Sequence, residues 1–109
     1  LGNRTLRDDA DKLAKCGTEL FRMEGQGDLP FVAGCTAWLA CKLIPEPHNQ
    51  QAHDLFIGEI VGAWADTRVF KDGHWHFEEA APSLRSLHYI AGGQFYATGE
   101  PLNANTDLV

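Results

Sequence analysis

The sequence predicts a mainly β fold of antiparallel strands behind one N-terminal helix. Three observations carry that expectation. His53 to Ala65 is an almost continuous run of apolar, β-prone residues, the pattern of a strand covered on both faces. Asp72-Gly73 stands between Arg68-Val69-Phe70 and His74-Trp75-His76-Phe77, and Asp-Gly between apolar runs is a hairpin signal. Ahead of the β-prone part, Leu6, Ala10, Leu13 and Ala14 recur at helical spacing.

Each element has its own local reason. Residues 5–16 are expected to be helical, with Thr5 or Asp8 as cap and acids in the first turn, where the helix dipole favours them. Gly17 is the stop, and Lys12 and Lys15 stand in the last turn. Gly25, Gly27 and Pro30 mark a loop. Phe31 to Ile44 reads as one strand, or as two short ones bent at Gly34. Pro45 to Gln51 reads as a turn, because two prolines fix φ and remove ladder donors. His53 to Ala65 is the clearest strand, with His53 at its entrance.

Alternation along the Asp72-Gly73 hairpin puts His74 and His76 on one face and Trp75 and Phe77 on the other. Residues 78–88 read as a loop or short helical turn. Tyr89 to Thr98 reads as a last strand, weakened or bulged at Gly92-Gly93. The tail from Pro101 to Val109 is polar and expected to be loose. Such a set of strands leaves edges that must pair with more of the same chain or with another subunit.

Composition narrows the class. The chain has 109 residues, 44% of them hydrophobic, enough for a single domain over residues 1–109. Its formal net charge is −6 and its nine Lys and Arg residues are scattered, which argues against nucleic acid or an anionic membrane as partner. No apolar stretch approaches the ~20 residues of a membrane span. The chain starts at Leu1 without an apolar signal core, which points to a processed or truncated product. Three cysteines, Cys16, Cys35 and Cys41, form no CxxC pair. A reducing cytoplasm is the expected setting, with Cys35 and Cys41 as small apolar residues on one strand face.

Four short motifs occur in a recognisable order. They are Asp11-Lys12-Leu13; Leu39-Ala40-Cys41; Gln51-Ala52-His53 followed by Phe56-Ile57-Gly58-Glu59-Ile60; and Ser86-Leu87-His88-Tyr89 followed by Gly92-Gly93 and Phe95. Together they resemble the C-terminal half of the flavin reductase-like family, over most of residues 10–100. That family has a helix with an Asp-Lys-Phe/Leu element, then a Leu-Glu-Cys-like triplet. A Gly-Asp-His segment before a Gly-Glu-Val strand follows, and then Pro-Leu-x-Tyr with glycine and an aromatic. This chain departs from the pattern at Ala40, Gln51, Ala52 and Ser86.

The resemblance implies part of an antiparallel split β-barrel of the FMN-binding type, which binds flavin at a homodimer interface. It implies FMN, or FAD, as cofactor and NAD(P)H as donor. His53 matches a histidine near the nicotinamide site, and an imidazole there can donate to a carboxamide or a flavin oxygen. The alternative for His53 is a structural bond to a backbone carbonyl. His88, Tyr89, Gly92 and Phe95 are the cofactor-binding candidates. An aromatic can stack on the planar isoalloxazine, and glycine lets backbone approach it closely. The alternative is a strand-edge bulge among core aromatics.

Trp38, Trp64 and Trp75 suit a core or a dimer interface better than a flavin contact. Glu59 is expected to be buried and to need a partner such as Arg68 or Arg85. His74-x-His76 is a weak metal signal without a fixed third ligand, so no metal is expected. No glycine-rich phosphate loop opens a helix. Two functions stay open. One is a reductase passing hydride or electrons between NAD(P)H and flavin. The other is an FMN electron carrier without a nicotinamide site, or a non-catalytic β-module that pairs with a partner chain. The departures at Gln51 and Ala52 favour the second.

Overall fold

The computed structural model describes residues 5–104, and these are mainly β with short helices, as expected. The elements are α1 (Lys12–Lys15), β1 (Leu20–Phe21), β2 (Phe31–Val32), β3 (Ala37–Ile44), α2 (Pro47–His53), β4 (Ile57–Ala65), β5 (Phe70–Lys71), β6 (His74–Trp75), β7 (Leu87–Ala91) and β8 (Gln94–Ala97). Two 3₁₀ turns, Phe77–Glu79 and Pro82–Leu84, lie between β6 and β7. Strands pair two by two: β1 with β2, β3 with β4, β5 with β6, β7 with β8. Among the described residues these ladders do not close into a barrel. The chain divides into two compact units, up to Trp38 and from Leu39.

In the first unit the expected helix is reduced to one regular turn. Neither Thr5 nor Asp8 caps it, since α1 starts after Asp11 without a side-chain cap bond or an acid in its first turn; Thr5 Oγ1 instead closes a separate turn, accepting from the Asp8 amide at 3.2 Å and donating to Asp8 Oδ2 at 2.9 Å. The acids then interrupt the helix. Asp9 Oδ1 accepts from the Asp11 amide at 3.2 Å, a local bond that competes with helical pairing. Gly17, at φ +63°, ends α1 as predicted, and its amide donates to the Ala14 carbonyl. β1 and β2 are antiparallel, with Phe21 opposite Phe31. The rings of Phe31 and Trp38 lie 5.8 and 5.7 Å from that of Phe21. Trp38 Nε1 donates to the Val32 carbonyl at 2.8 Å. Phe31 is buried and Trp38 half-buried, in keeping with a core tryptophan. The predicted bend falls at Gly34, φ +84°, between β2 and β3.

The second unit holds the largest departure. Residues 47–53 form α2 and not a turn. Pro47 sits at the first helical position, where its missing donor is not needed. The Glu46 amide donates to Gln50 Oε1 at 3.0 Å, and the Gln50 amide to the Glu46 carbonyl. Asp54 closes the helix in the left-handed conformation, φ 49°. The strand therefore starts at Ile57, and His53 ends a helix instead of entering a strand.

β4 is a strand as predicted, but its cover is absent. Ile60 and Val61 are each 58% exposed, and Leu39 and Leu43 on β3 are 60% and 50% exposed. Cys35, Cys41 and Glu59 are exposed too, against expectation. Two glycines fix the local packing. A Cβ on Gly58 would lie 3.1 Å from the Cβ of Cys41, so the two residues are neighbours across the pair. A Cβ on Gly62 would lie 2.5 Å from the Trp64 ring, which folds back over that glycine.

The segment from Asp66 to Glu79 is a closed corner. The Asp66 carbonyl accepts from the Val69 and Phe70 amides, and the Val69 carbonyl from the His76 amide at 2.7 Å. Val69 is fully buried. Asp66 also takes the Arg68 guanidinium, with Nη2 donating at 2.6 Å and Nε at 3.0 Å. The predicted Asp72-Gly73 hairpin is present, with both residues at positive φ (54° and 76°). Its two faces divide as expected. Trp75 stacks on Phe77 at 5.1 Å, while the His74 and His76 rings are 6.4 Å apart. Trp75 is exposed, so it is not a core residue here.

Tyr89 to Thr98 is a hairpin, not one bulged strand. Gly92 and Gly93 adopt φ +57° and +83°, which suits a two-residue turn with positive φ at both positions. The bulge lies instead between Tyr89 and Ala91. Arg85 clasps the hairpin base: Nη1 donates to the Thr98 and Gly99 carbonyls at 2.9 and 2.8 Å, and Nη2 to Glu100 Oε1 at 3.0 Å. Arg68 and Arg85 are thus held by Asp66 and by the 98–100 segment, and the expected Glu59 partnership is not formed. Leu102 is exposed without regular structure, as the tail reading expects, and residues 105–109 lie outside the described residues.

Two predictions follow from these local geometries. The hydrogen bonds from the Arg68 side chain and amide hold the Asp66 carboxyl at about 2, below its ordinary 3.8. A depressed folded pKa contributes stability that is present above the unfolded value and lost as pH falls through the folded one. The contribution is therefore full above roughly pH 4 and gone near pH 2. Carbonyl-detected NMR is expected to show the Asp66 midpoint at about 2, rising toward 3.8 in Arg68→Ala; an unmoved midpoint in that variant would refute the assignment. Second, Gly92→Ala places a Cβ at positive φ and is expected to cost about 1 kcal/mol. Amide exchange across β8 reads this out, and Gly92→Asn, which tolerates that φ, is expected to exchange more slowly than Gly92→Ala.

Candidate functional site

Four of the five predicted site residues stand on the β7–β8 hairpin: His88, Tyr89, Gly92 and Phe95. Tyr89 pairs with Phe95 across the ladder, and their rings lie 5.2 Å apart at 55°. Tyr89 is 58% and Phe95 53% exposed. The Gly92 amide donates to Tyr89 Oη at 3.2 Å, which fixes the phenol against the turn. This is an open aromatic platform with a glycine turn at its rim.

His88 belongs to the other face. It pairs with Tyr96, whose Oη accepts from Gln94 Nε2 at 3.4 Å. Phe95 and Tyr96 point to opposite sides, as alternation requires. The hairpin therefore brings Tyr89, Phe95 and Gly92 together and sets His88 apart from them by the thickness of the sheet.

His53 is placed elsewhere. It is the last residue of α2, and its ring meets His48 edge-on at 5.7 Å. His53 and its ring are exposed to solvent, and its imidazole is open to a ligand.

A further group was not legible as a set. His76, Glu78 and Glu79 offer ligand atoms that all lie within 4.8 Å of one another. Glu79 is already taken by Lys71, with Nζ at 2.6 Å. The ammonium holds the Glu79 carboxyl below its ordinary range, and the carboxylate raises Lys71 in return. His76 Nδ1 stands 3.7 and 3.8 Å from the two glutamates. The arrangement is that of a surface ion-pair cluster around a 3₁₀ turn. The turn brought Glu78 and Glu79 under His76, and the spacing of His74-x-His76 alone did not reveal it.

Comparison with known proteins adds an independent line. A model of the flavin reductase like domain matches residues 3–93. The uncharacterized protein YddH of Escherichia coli (strain K12) is 37% identical over 97 residues, covering 88% of this chain and 50% of that protein. In the crystal structure of an FMN-binding domain of a flavin reductases-like enzyme from Shewanella baltica OS155, a chain 68% identical superposes with a TM-score of 0.90. That match covers 95% of this chain and 54% of the other. This chain thus spans about half the length of either relative. The motifs around Asp11, Cys41, His53 and Tyr89, the family match and the shared fold agree, and the chain belongs to the flavin reductase-like domain family.

Proposed function

We propose that this chain is the C-terminal portion of a split-barrel flavin reductase-like domain that binds FMN as a cytoplasmic homodimer. The observation that carries the reading is the Tyr89–Phe95 platform with Gly92 at its rim, in a chain of this family. The fit is chemical. Isoalloxazine is planar and apolar with a polar edge, and two exposed rings beside a turn with no side chain suit that shape. Tyr89 and Phe95 hold the ring plane, Gly92 admits the edge, and His88 reaches a polar atom only where the ligand crosses the hairpin edge. The redox chemistry, hydride or electron transfer with NAD(P)H as donor, is that of the bound flavin.

The protein's own contribution is orientation. His53 donates a hydrogen bond through its imidazole N–H to a nicotinamide carboxamide or a flavin oxygen. A second reading, an FMN electron carrier without a nicotinamide site, is favoured by one observation. Gln51 and Ala52 replace the family's Gly-Asp before His53, and both lie inside α2. No helix among the described residues is long and apolar enough to cross a membrane.

Flavin fluorescence quenching tests the platform. The double variant Tyr89→Ala/Phe95→Ala is expected to weaken FMN binding about tenfold, the loss of ~1.4 kcal/mol of ring contact. Equal affinity in wild type and variant refutes the platform. NAD(P)H oxidation with added FMN then separates the readings. The reductase reading expects turnover that falls in His53→Ala, and the carrier reading expects none in either protein.

A further inference from the structure

His76 points one ring nitrogen between two carboxylates and bonds to neither. Its Nδ1 stands 3.7 Å from Glu78 Oε1 and 3.8 Å from Glu79 Oε1. Both separations are too long for a hydrogen bond, which these groups make below about 3.2 Å. They are close to what one shared ion demands, since ligand atoms each about 2.1 Å from a metal stand roughly 3.0–3.5 Å apart. A closure of a few tenths of an ångström, roughly, would complete the set. The three ligand atoms lie within 4.8 Å of one another, and no other such group of histidine, cysteine and carboxylate ligands occurs among the described residues.

Glu79 divides its two oxygens, and this is a separate observation. Oε2 takes Lys71 Nζ at 2.6 Å, while Oε1 is the oxygen turned to His76. The ammonium therefore leaves one oxygen of that carboxylate for a second cation. Lys71 stands opposite His74 across the β5–β6 hairpin, so its charge reaches the cluster from the strand beside it. The ligands are carried on fixed backbone. The His76 amide donates to the carbonyl of Val69 at 2.7 Å, the Glu79 amide donates to the His76 carbonyl at 3.2 Å, and Val69 is fully buried. Imidazole with carboxylates suits first-row transition ions, whereas Mg²⁺ and Ca²⁺ favour all-oxygen sets. His76 is half-buried and both glutamates are exposed, which leaves the remaining positions around an ion to water.

We propose that His76 Nδ1, Glu78 Oε1 and Glu79 Oε1 bind one divalent first-row transition ion. Lys71 stays on Glu79 Oε2 and holds the affinity down, because its positive charge opposes the ion. The site lies within the β5–β6 hairpin and the turn after it. It is independent of the flavin reading, and its test contains no flavin.

Co²⁺ is the probe, because its unpaired electrons shift nearby nuclei and so locate the ion. Titrated into the ¹⁵N-labelled chain in the presence of about tenfold more Mg²⁺, it is expected to move the amides of residues 71–79 first. His76→Ala and Glu78→Gln are each expected to weaken binding at least about tenfold, with circular dichroism unchanged. His74→Ala, a change on the same hairpin face, is expected to leave the affinity where it was. Lys71→Met is expected to bind Co²⁺ roughly fivefold more tightly, a gain that an ion-pair network alone does not give. A spectrum that Co²⁺ leaves unmoved overturns the proposal. So do shifts centred on His48 and His53 or on a cysteine, equal losses in His74→Ala and His76→Ala, and displacement of Co²⁺ by the Mg²⁺. Weaker binding in Lys71→Met overturns it as well.

Discussion

The pairing of β3 with β4 satisfies backbone hydrogen bonds without covering the side chains that the strands carry. Hydrophobic burial is the dominant favourable term in folding, and here a charge-free sheet face remains in water. Gly58 shows that the pair itself is closely made, since it admits Cys41 of β3 where a Cβ would crowd it. Among the described residues no second layer covers Leu39, Leu43 and Ile60, whereas sheets are stable when one or both faces are packed. The four two-stranded ladders are each closed locally, and none joins another among the described residues.

Local polar interactions do what the core does not. Asp66 gathers the Val69 and Phe70 amides and the Arg68 guanidinium, and it buries Val69 in the corner so formed. Arg85 ties the exit of β8 to the start of β7 through two carbonyls and Glu100. These contacts are short in sequence or confined to one hairpin, so each is formed locally. The aromatic platform of Tyr89 and Phe95 stands on such a hairpin, and its geometry does not wait for a distant partner.

Much of this was legible in the residues. The apolar run at 57–65, the Asp72-Gly73 hairpin, the bend at Gly34 and the stop at Gly17 are set by local chemistry that a sequence displays. The order of the four motifs pointed to the family that the comparisons establish. Other features were hidden for physical reasons. Two prolines around Glu46 read as a turn, but Pro47 at a first helical position starts α2. A glycine pair reads equally as a bulge or a hairpin turn, and only the ladder register separates them. The apolar pattern of β4 reads as cover on both faces, but the strand is largely exposed, because an apolar run fixes the strand and not what packs on it. Among the candidate site residues, alternation alone separates His88 from Tyr89, and the helical ending of His53 needed the Asp54 cap to be seen.

Lys42 and Glu59 acquire a further meaning from their shared face. An uncovered strand as apolar as β4 is a template for unwanted pairing with other chains. Each strand of the pair carries a single charged residue, Lys42 in β3 and Glu59 in β4. Charges flanking unavoidable apolar strands act as gatekeepers against aggregation. On this sheet both guard the same side, and the side that carries Leu39, Leu43 and Ile60 has no charge. On that uncharged side, folding and misassembly compete for the same apolar residues.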